Sequence, residues 1–300
     1  MGISTLQIFR QGLNSILDQQ AGIQRTQQQV SSGKRILDPS DDPAGATRVM
    51  SLTDTENITK QYQSNIINLR NRLEAEEAVL SAGGDVMQRI NELAIQGLND
   101  SLSANDRASI AKEVRQLTDE MVGLANRKDG SGEYLFAGTR TRIKPFEADN
   151  AGGFVYQGDQ GQRQVRVAPD RLIAAGNTGF EVFMKIPDGD GGYNSAFSTL
   201  YQLATDLEAD TPNQDALGKV GLVIDHFLTQ RSDVGARQNA LDSQERTNDV
   251  LVLQLRQTRS DIEDVDIVEA AARLSQQTLS FQAAQQAFVR VQGLSLFNFL

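Results

Sequence analysis

Apolar residues recur at every seventh position in both end segments of the chain. In the amino-terminal segment the stripe consists of Phe9, Ile16, Ile23, Val30 and Leu37. In the carboxy-terminal segment it consists of Ile267, Leu274, Phe281 and Phe288. A seven-residue apolar repeat is typical of helices that pair as a coiled coil. We therefore predict one helix at each end and expect the two helices to pair with each other.

The companion position of each stripe, three residues before its members, is less apolar. Leu6 and Leu13 occupy it first, but polar side chains follow at Gln20, Gln27, Thr278 and Gln285. Two helices with such seams leave apolar surface uncovered, so we expect neighbouring identical or related chains to cover it. We assign subunit assembly to eight residues of the two stripes: Phe9, Ile16, Ile23, Val30, Ile267, Leu274, Phe281 and Phe288.

Two longer stripes run through the interior of the sequence. The first consists of Leu52, Thr59, Ile66, Leu73, Leu80 and Met87. The second consists of Val220, Phe227, Val234, Leu241, Asn248, Leu255 and Ile262. Asn248 is the kind of buried polar residue that fixes the register of paired helices. We predict two long helices that pack into a bundle.

Capping residues mark where the internal helices begin. Asp42 followed by Pro43 predicts the start of the first long helix, since proline is tolerated at the first helical position. Ser103 with Asp106 resembles a capping box, and the same logic places a further start at Thr211-Pro212. Another helix is expected from about Ala196. The pair Gly83–Gly84 favours a bend in the long helix.

Between about residues 128 and 193 the pattern changes to short alternating pieces between glycine-rich turns. Gln164–Ala168 and Glu181–Ile186 are predicted as strands. The expected fold is mainly α with a small β insert, in the shape of an elongated rod. Its predicted domains are a terminal coiled coil (1–40 plus 263–300), a helical bundle (41–132 plus 196–262) and a small β-rich tip (133–195).

Composition and charge exclude several classes of function. The net charge of −10 argues against nucleic acid as a partner, because phosphate binding needs clustered Lys and Arg. No apolar run approaches the ~20 residues that cross a bilayer, and the first ten residues do not resemble a cleavable signal peptide, so we expect no membrane insertion. The chain has no cysteine, which excludes thiol chemistry and disulfides.

The sequence offers no arrangement that points to catalysis or to a cofactor. Its one histidine, His226, lies within a heptad helix, where a structural role is the better interpretation. The acidic runs Asp38–Asp42 and Asp188–Gly192 lack the ligand spacing of a calcium loop and are interpreted as turns and caps. We expect neither an enzyme nor a bound metal or cofactor.

A specific motif joins the first stripe to the long helix. The segment Ser32-Gly-Lys-Arg-Ile-Leu-Asp-Pro-Ser-Asp-Asp-Pro-Ala-Gly45 resembles the amino-terminal signature of the flagellin family, and Leu294-Ser-Leu-Phe-Asn-Phe-Leu300 resembles its closing segment. By this resemblance Arg35, Asp41, Asp42 and Gly45 form a capped, charged corner before the long helix. Whether Arg35 pairs with Asp41 or with a neighbouring subunit is left open by the sequence.

Within that family, Gly132-Glu-Tyr-Leu-Phe-Ala-Gly138 followed by Lys144-Pro-Phe146 is more similar to junction proteins between hook and filament than to filament flagellins. The resemblance implies a ring of copies of the chain between hook-associated protein 1 and the first flagellin subunits. It also implies secretion through the flagellar type III channel and an export chaperone that masks the carboxy-terminal apolar stretch. The alternatives are a filament flagellin with a short variable domain and a hydrolase grafted on a flagellin scaffold. The hydrolase would need a site in residues 140–195, which hold no histidine or cysteine.

Overall fold

The computed structural model describes residues 2–149 and 153–297, with side chains at 7, 9–149 and 153–290. The chain divides into two compact units. The terminal unit comprises Met1–Ile58 and Val250–Leu300, and the central unit comprises Thr59–Asp249. Two long helices contribute to both units: α2 (Pro43–Gly97) and α5 (Gln214–Glu263).

The terminal unit contains the two end helices, α1 (Gly2–Ser32) and α6 (Ile267–Phe297). They run antiparallel, because the Phe9 and Phe288 rings lie 5.1 Å apart while Gly22, further along α1, faces Gln277, which is earlier on α6. The predicted pairing of the end helices is therefore confirmed. Helix α1 ends at Ser32, and the next residue, Gly33, has a φ of +72°, a conformation that favours glycine.

The central unit is built on the internal stripes of α2 and α5, together with α3 (Ala104–Ala125) and α4 (Ala196–Glu208). Within this unit every member of both stripes is buried: Thr59, Ile66, Leu73, Leu80, Met87, Val220, Phe227, Val234, Leu241 and Asn248. The predicted bundle is confirmed. Asn248 donates to the carbonyl oxygen of Val167 at 3.1 Å, and its role in fixing register stays a prediction.

Three antiparallel strand pairs belong to the central unit, and each pair is a separate two-stranded sheet. They are β1 (Phe146–Ala148) with β2 (Phe154–Tyr156), β3 (Gln164–Ala168) with β4 (Arg171–Ala174), and β5 (Ile186–Pro187) with β6 (Tyr193–Asn194). A cluster of aromatic rings joins the β1–β2 pair to the helices, since Phe146 and Phe154 both contact the Phe197 ring. Phe183 is central to the cluster, with its ring centroid 5.5 Å from Phe197 on α4 and 5.6 Å from Phe227 on α5.

Two local predictions differ from the structure. The predicted strand Glu181–Ile186 is wrong, because Phe180–Met184 form a π-helical turn. Val182 and Phe183 are both buried, and a strand would point two successive side chains to opposite faces.

Helix α5 begins at Gln214, so the start predicted at Thr211-Pro212 is wrong. The cap is Asn213, whose side chain accepts the backbone N–H of Asp215 at 2.9 Å. Helix α2 is continuous through Gly83–Gly84, and a bend at this pair stays a prediction. A Cβ on Gly83 would lie 3.1 Å from the Phe227 ring and 3.4 Å from the Met121 sulfur, so this glycine permits close packing of α2.

Residues 133–195 fall in the same compact unit as the bundle helices, and the predicted division into three domains stays a prediction. The fold class, mainly α with a small β content, is confirmed. None of the helices in the described ranges combines the length and the apolar character that a bilayer crossing requires.

Candidate assembly interface

The seam between α1 and α6 uses the predicted stripes with a different companion position. On α1 the side chains turned toward α6 alternate at spacings of three and four: Gly12, Ile16, Gln19, Ile23, Thr26 and Val30. On α6 the corresponding residues are Ala270, Leu274, Gln277, Phe281, Ala284 and Phe288. The predicted companions Leu13, Gln20, Gln27, Thr278 and Gln285 are exposed, so that assignment is wrong by one residue.

Small residues at the true companion position explain how the two helices approach each other. A Cβ on Gly12 would lie 3.0 Å from the Phe288 ring, and Ala270 is fully buried. Small side chains in a helix seam let larger partners from the other helix fill the space. The seam therefore alternates large apolar residues of the stripes with small or polar residues of the companion position.

The eight residues assigned to assembly are only partly covered by the pair. Phe9 is 42% exposed and Ile267 is 47% exposed, and the remaining six are half-buried. In a two-helix pair each seam is covered from one side only. These residues thus keep apolar surface available to a third helix, and their part in subunit assembly stays a prediction.

A second set of apolar side chains points away from the seam. Leu13 and Leu17 on α1, and Val268, Leu279 and Val289 on α6, are all exposed. Leu279 is five residues after Leu274, which places it about 140° around the helix from the seam. A helix that is apolar on more than one face is normally buried on more than one side. The terminal unit therefore presents the surface expected of an incomplete bundle.

The family motif forms the corner between α1 and α2, residues 33–45. Asp42 caps α2, since its Oδ1 accepts the backbone N–H of Gly45 at 2.9 Å, as the sequence predicts. That hydrogen bond and the nearby Arg35 guanidinium hold the pKa of the Asp42 carboxyl below its ordinary value. A Cβ on Gly45 would lie 2.5 Å from Asp42 Oδ2 and 2.8 Å from the Ile36 Cδ1, so a side chain there would have to displace the cap residue or Ile36.

Within the chain Arg35 pairs with Asp42 and not with Asp41, and a contact of Arg35 with a neighbouring subunit stays a prediction. Arg35 Nη2 donates to Asp42 Oδ2 at 3.2 Å and to the backbone carbonyl of Ile262 at 2.7 Å. Asp41 instead pairs with Arg25 and accepts the backbone N–H of Leu37 at 3.0 Å. The motif therefore fastens the α1–α2 connection to the end of α5.

Further contacts bind the same two connections together. Lys34 pairs with Glu263 at 2.5 Å, and the backbone N–H of Val265 donates to the carbonyl of Gly33 at 3.0 Å. These partners are more than two hundred residues apart in the chain, so no local signal in the sequence points to them.

Glu56 is a buried residue whose importance the sequence does not reveal. It is 2% exposed and accepts from Arg256 and Arg259 of α5, both at 2.8 Å. A buried carboxylate is costly unless it is paired, and two guanidinium groups satisfy this requirement. Its two guanidinium partners lie 200 and 203 residues away in the chain, so only the antiparallel packing of α2 and α5 identifies its role.

The residues considered for chemistry have structural partners. His226 Nε2 lies 2.9 Å from the carbonyl oxygen of Glu181, and Asp188 accepts the backbone N–H groups of Asp190 and Gly192 within its turn. Within residues 2–149 and 153–297 there is no group of three or more acidic or histidine side chains that could hold a metal ion.

Two family models match the chain. The model of the bacterial flagellin N-terminal helical region matches residues 3–141, and that of the bacterial flagellin C-terminal helical region matches residues 217–300. The matched ranges include α1, α6 and the corner that joins α1 to α2.

The individual relatives are of two kinds, hook-associated proteins and flagellins. The chain is 32% identical to flagellar hook-associated protein 3 of Escherichia coli, over 99% of each chain. It is 26% identical to a flagellin of Treponema pallidum, over 81% of this chain and 79% of that one. The crystal structure of the flagellar junction protein FlgL from Legionella pneumophila has the same fold, with a TM-score of 0.64 at 21% identity, covering 72% of this chain and all of that one.

Proposed function

Because the chain belongs to the flagellin family, we propose that it works as a structural adaptor of the bacterial flagellum, which joins the hook end to the flagellin filament. The observation that carries this function is the match to hook-associated protein 3 along the whole chain, central unit included. The flagellin match is weaker and shorter. Filament flagellin is therefore the less supported alternative.

We further propose that copies of the chain form a ring, with hook-associated protein 1 on one side and flagellin on the other. Support comes from the terminal unit, where the stripes of α1 and α6 stay partly exposed and further apolar residues face outward. A surface of this kind is stabilised when neighbouring helices complete the bundle. The central unit buries its own stripes and needs no such neighbour.

Export of the chain follows from the same reasoning. We propose secretion through the flagellar type III channel, with an export chaperone that covers the apolar faces of α6 until assembly. Helix α6 carries no charged residue between Leu274 and Val289, so its free faces are poorly protected from aggregation. The site that the chaperone would cover is the same surface that assembly later buries. No reaction is part of this function.

Electron microscopy of cells that lack this chain is the direct test. We expect hooks without filaments and flagellin released into the medium, and restoration of filaments by the wild-type chain. Filaments of normal length on cells without the chain would contradict the adaptor function. If the purified chain alone polymerised into long filaments, the flagellin alternative would replace it.

A further inference from the structure

A loop of the central unit concentrates positive charge in a chain whose net charge is −10. Residues 127–144 hold five cationic side chains and only two acidic ones. Asp129 pairs with Arg72 of α2 at 2.9 Å. Glu133 pairs with Arg163 at 3.5 Å, so both acidic residues already have partners. The five cationic residues are all exposed, and we call them the basic surface: Arg127, Lys128, Arg140, Arg142 and Lys144.

Backbone hydrogen bonds bring the segments that carry these residues together. The N–H of Leu135 donates to the carbonyl of Arg127 at 3.0 Å, and the N–H of Tyr134 donates to the carbonyl of Thr141 at 2.8 Å. The Lys128 Nζ lies 4.7 Å from the centroid of the Tyr134 ring. Three cations form no ion pair within the part of the chain that the structure describes: Arg127, Arg142 and Lys144.

Apolar residues, not charges, anchor this loop to the bundle. Leu135, Phe136 and Phe146 are buried in the core of the central unit. Ile143, between Arg142 and Lys144 in the sequence, is 45% exposed. The basic surface thus combines exposed cations with an exposed apolar side chain, and interfaces between proteins commonly have an apolar centre and a polar rim.

Negative charge is concentrated at one end of the same unit. The α2–α3 and α4–α5 connections lie together there, because Arg107 donates to the carbonyl of Gly97 at 3.1 Å and pairs with Asp210. The two connections and the helical turns beside them carry six acidic residues, of which all but the half-buried Asp206 are exposed. We call them the acidic end: Asp100, Asp106, Asp206, Glu208, Asp210 and Asp215.

Helix capping explains only part of this negative charge. Asp106 and Asp215 lie in the first turns of α3 and α5, where a carboxylate is favourable. Asp206 and Glu208 lie in the last turn of α4, where a negative charge opposes the helix dipole. Arg115 pairs with Glu208 only. The acidic end therefore holds more negative charge than its helices need, and a cationic partner would relieve the repulsion.

We propose that the basic surface of one copy of the chain binds the acidic end of a neighbouring copy, and this proposal rests on the proposed ring. One copy cannot make the contact with itself. The basic surface is attached to α2 at Arg72 and the acidic end at Gly97, which is 25 residues later and about 38 Å away on a straight helix. The contact joins two different surfaces, and such head-to-tail contacts generate rings or helical assemblies.

The opposite charges decide which surfaces meet. Two basic surfaces repel each other, as do two acidic ends, so only the head-to-tail arrangement is favourable. Ion pairs at exposed sites add little affinity, and apolar contact has to supply the rest. Ile143 provides it on the basic surface. Ile95, in the last turn of α2 beside the acidic end, is 56% exposed and provides it there.

Carbodiimide cross-linking of assembled flagella tests this contact, because the reagent joins a lysine amine to a carboxylate that touches it. We expect dimers and larger multiples of the chain, in which mass spectrometry finds Lys128 or Lys144 joined to an acidic residue in 100–106 or 206–215. Lys128→Arg/Lys144→Arg keeps both charges but removes both amines, so filaments should persist while these cross-links disappear. Lys60→Arg/Lys185→Arg is the matched control, since its lysines lie outside both surfaces, and it should keep the cross-links.

Charge reversal provides a second measurement. Arg142→Glu/Lys144→Glu should lower the fraction of hooks that bear filaments by about tenfold, because like charges then face each other. Adding Asp100→Lys and Asp215→Lys should restore filaments, since the reversed charges again meet opposite ones. Arg246→Glu changes an exposed cation outside the basic surface and is the control. Circular dichroism of the purified variants checks that each one folds.

The results separate this contact from the adaptor function. Cross-links of Lys128 or Lys144 to the acidic end, together with rescue by the second pair of substitutions, would support the proposal. If these lysines cross-linked only to flagellin or to hook-associated protein 1, or to nothing, the contact between copies would be overturned while the adaptor function stood. Normal filaments on cells with Arg142→Glu/Lys144→Glu would overturn it as well.

Discussion

The heptad stripes of the central and terminal units look alike in sequence but differ in how they are covered. In the central unit Leu73 and Leu80 of α2, like Val234 and Leu241 of α5, have almost no exposed surface. In the terminal unit Ile16 and Phe281 are only half-buried although they obey the same spacing. The difference lies in the number of neighbours. The central stripes are enclosed by α3, α4 and the aromatic cluster, whereas α1 and α6 have mainly each other.

A repeat of apolar residues thus indicates that a helix has an apolar face, but it does not indicate whether the same chain or a neighbouring chain covers that face. The central unit gains its stability within one copy. The terminal unit leaves part of its apolar surface exposed, which suits the assembly of copies proposed above. Four predictions distinguish the central unit, which is stable within one chain, from the terminal unit, which leaves apolar surface for neighbours.

The largest expected effect is on assembly. Phe281→Asp, or equally Ile16→Asp, places a charge in the terminal seam and should abolish junction formation and motility. The free energy of unfolding of the central unit should stay nearly unchanged, because neither residue belongs to it. Motility assays and urea unfolding measure the two effects. Phe281→Leu keeps the seam apolar and serves as the control; motile cells with Phe281→Asp would contradict the role of the seam.

A substitution in the core of the central unit should lower the stability of that unit, which the substitutions in the terminal seam leave unchanged. Phe227 is 1% exposed and packs against Phe183, so Phe227→Ala should lower the free energy of unfolding by about 3–5 kcal/mol. Leu228, its exposed neighbour, provides the control, since Leu228→Ala removes little buried surface. Urea unfolding followed by circular dichroism measures both variants. Equal effects of the two substitutions would show that Phe227 is not a core residue.

A buried carboxyl makes the central unit sensitive to pH. Burial raises the pKa of Glu76 to about 7, although the backbone N–H of Asn177 and the charges of Arg237 and Arg72 oppose the shift. The folded state therefore holds this proton more tightly than the unfolded state, whose carboxyl titrates near 4.5. This contribution to stability is complete below about pH 4.5 and is lost as pH rises through 7, by on the order of 3 kcal/mol.

Urea unfolding of wild type and of Glu76→Gln at pH 5 and pH 8 measures this effect. The amide keeps an acceptor for the Asn177 N–H and cannot ionise, so the variant should lose less stability than wild type between the two pH values. Glu74→Gln, at an exposed position on the same helix, is the control. Parallel pH profiles of wild type and Glu76→Gln would show that Glu76 does not titrate in this range.

The smallest expected effect compares glycines of the two units. Gly45→Ala should destabilise the corner by about 1–3 kcal/mol, because its Cβ would overlap the cap residue Asp42. Gly84→Ala meets nothing within 4 Å and should stabilise α2 by about 0.5–1 kcal/mol. Thermal unfolding measures both signs. Stabilisation by Gly45→Ala would mean that the corner can open without cost.

The sequence by itself determined the elements and the family. Spacings of seven located α1, α2, α5 and α6, the Asp42–Pro43 and Ser103–Asp106 pairs located two helix starts, and the segment from Ser32 to Gly45 indicated the flagellin family. These features are local, because caps and helix faces depend on residues within one or two turns. The same local character let the sequence identify the eight residues of the terminal stripes.

Only the tertiary structure decided which neighbours those features meet. A seven-residue stripe allows a companion three or four residues away, and the approach of α6 selected Gly12, Gln19 and Thr26 over Leu13, Gln20 and Gln27. The partners of Arg35 and Glu56 lie about two hundred residues away in the chain, and the turn at Phe180–Met184 follows from the aromatic cluster around Phe183. Such contacts depend on how helices cross, which local spacing does not encode.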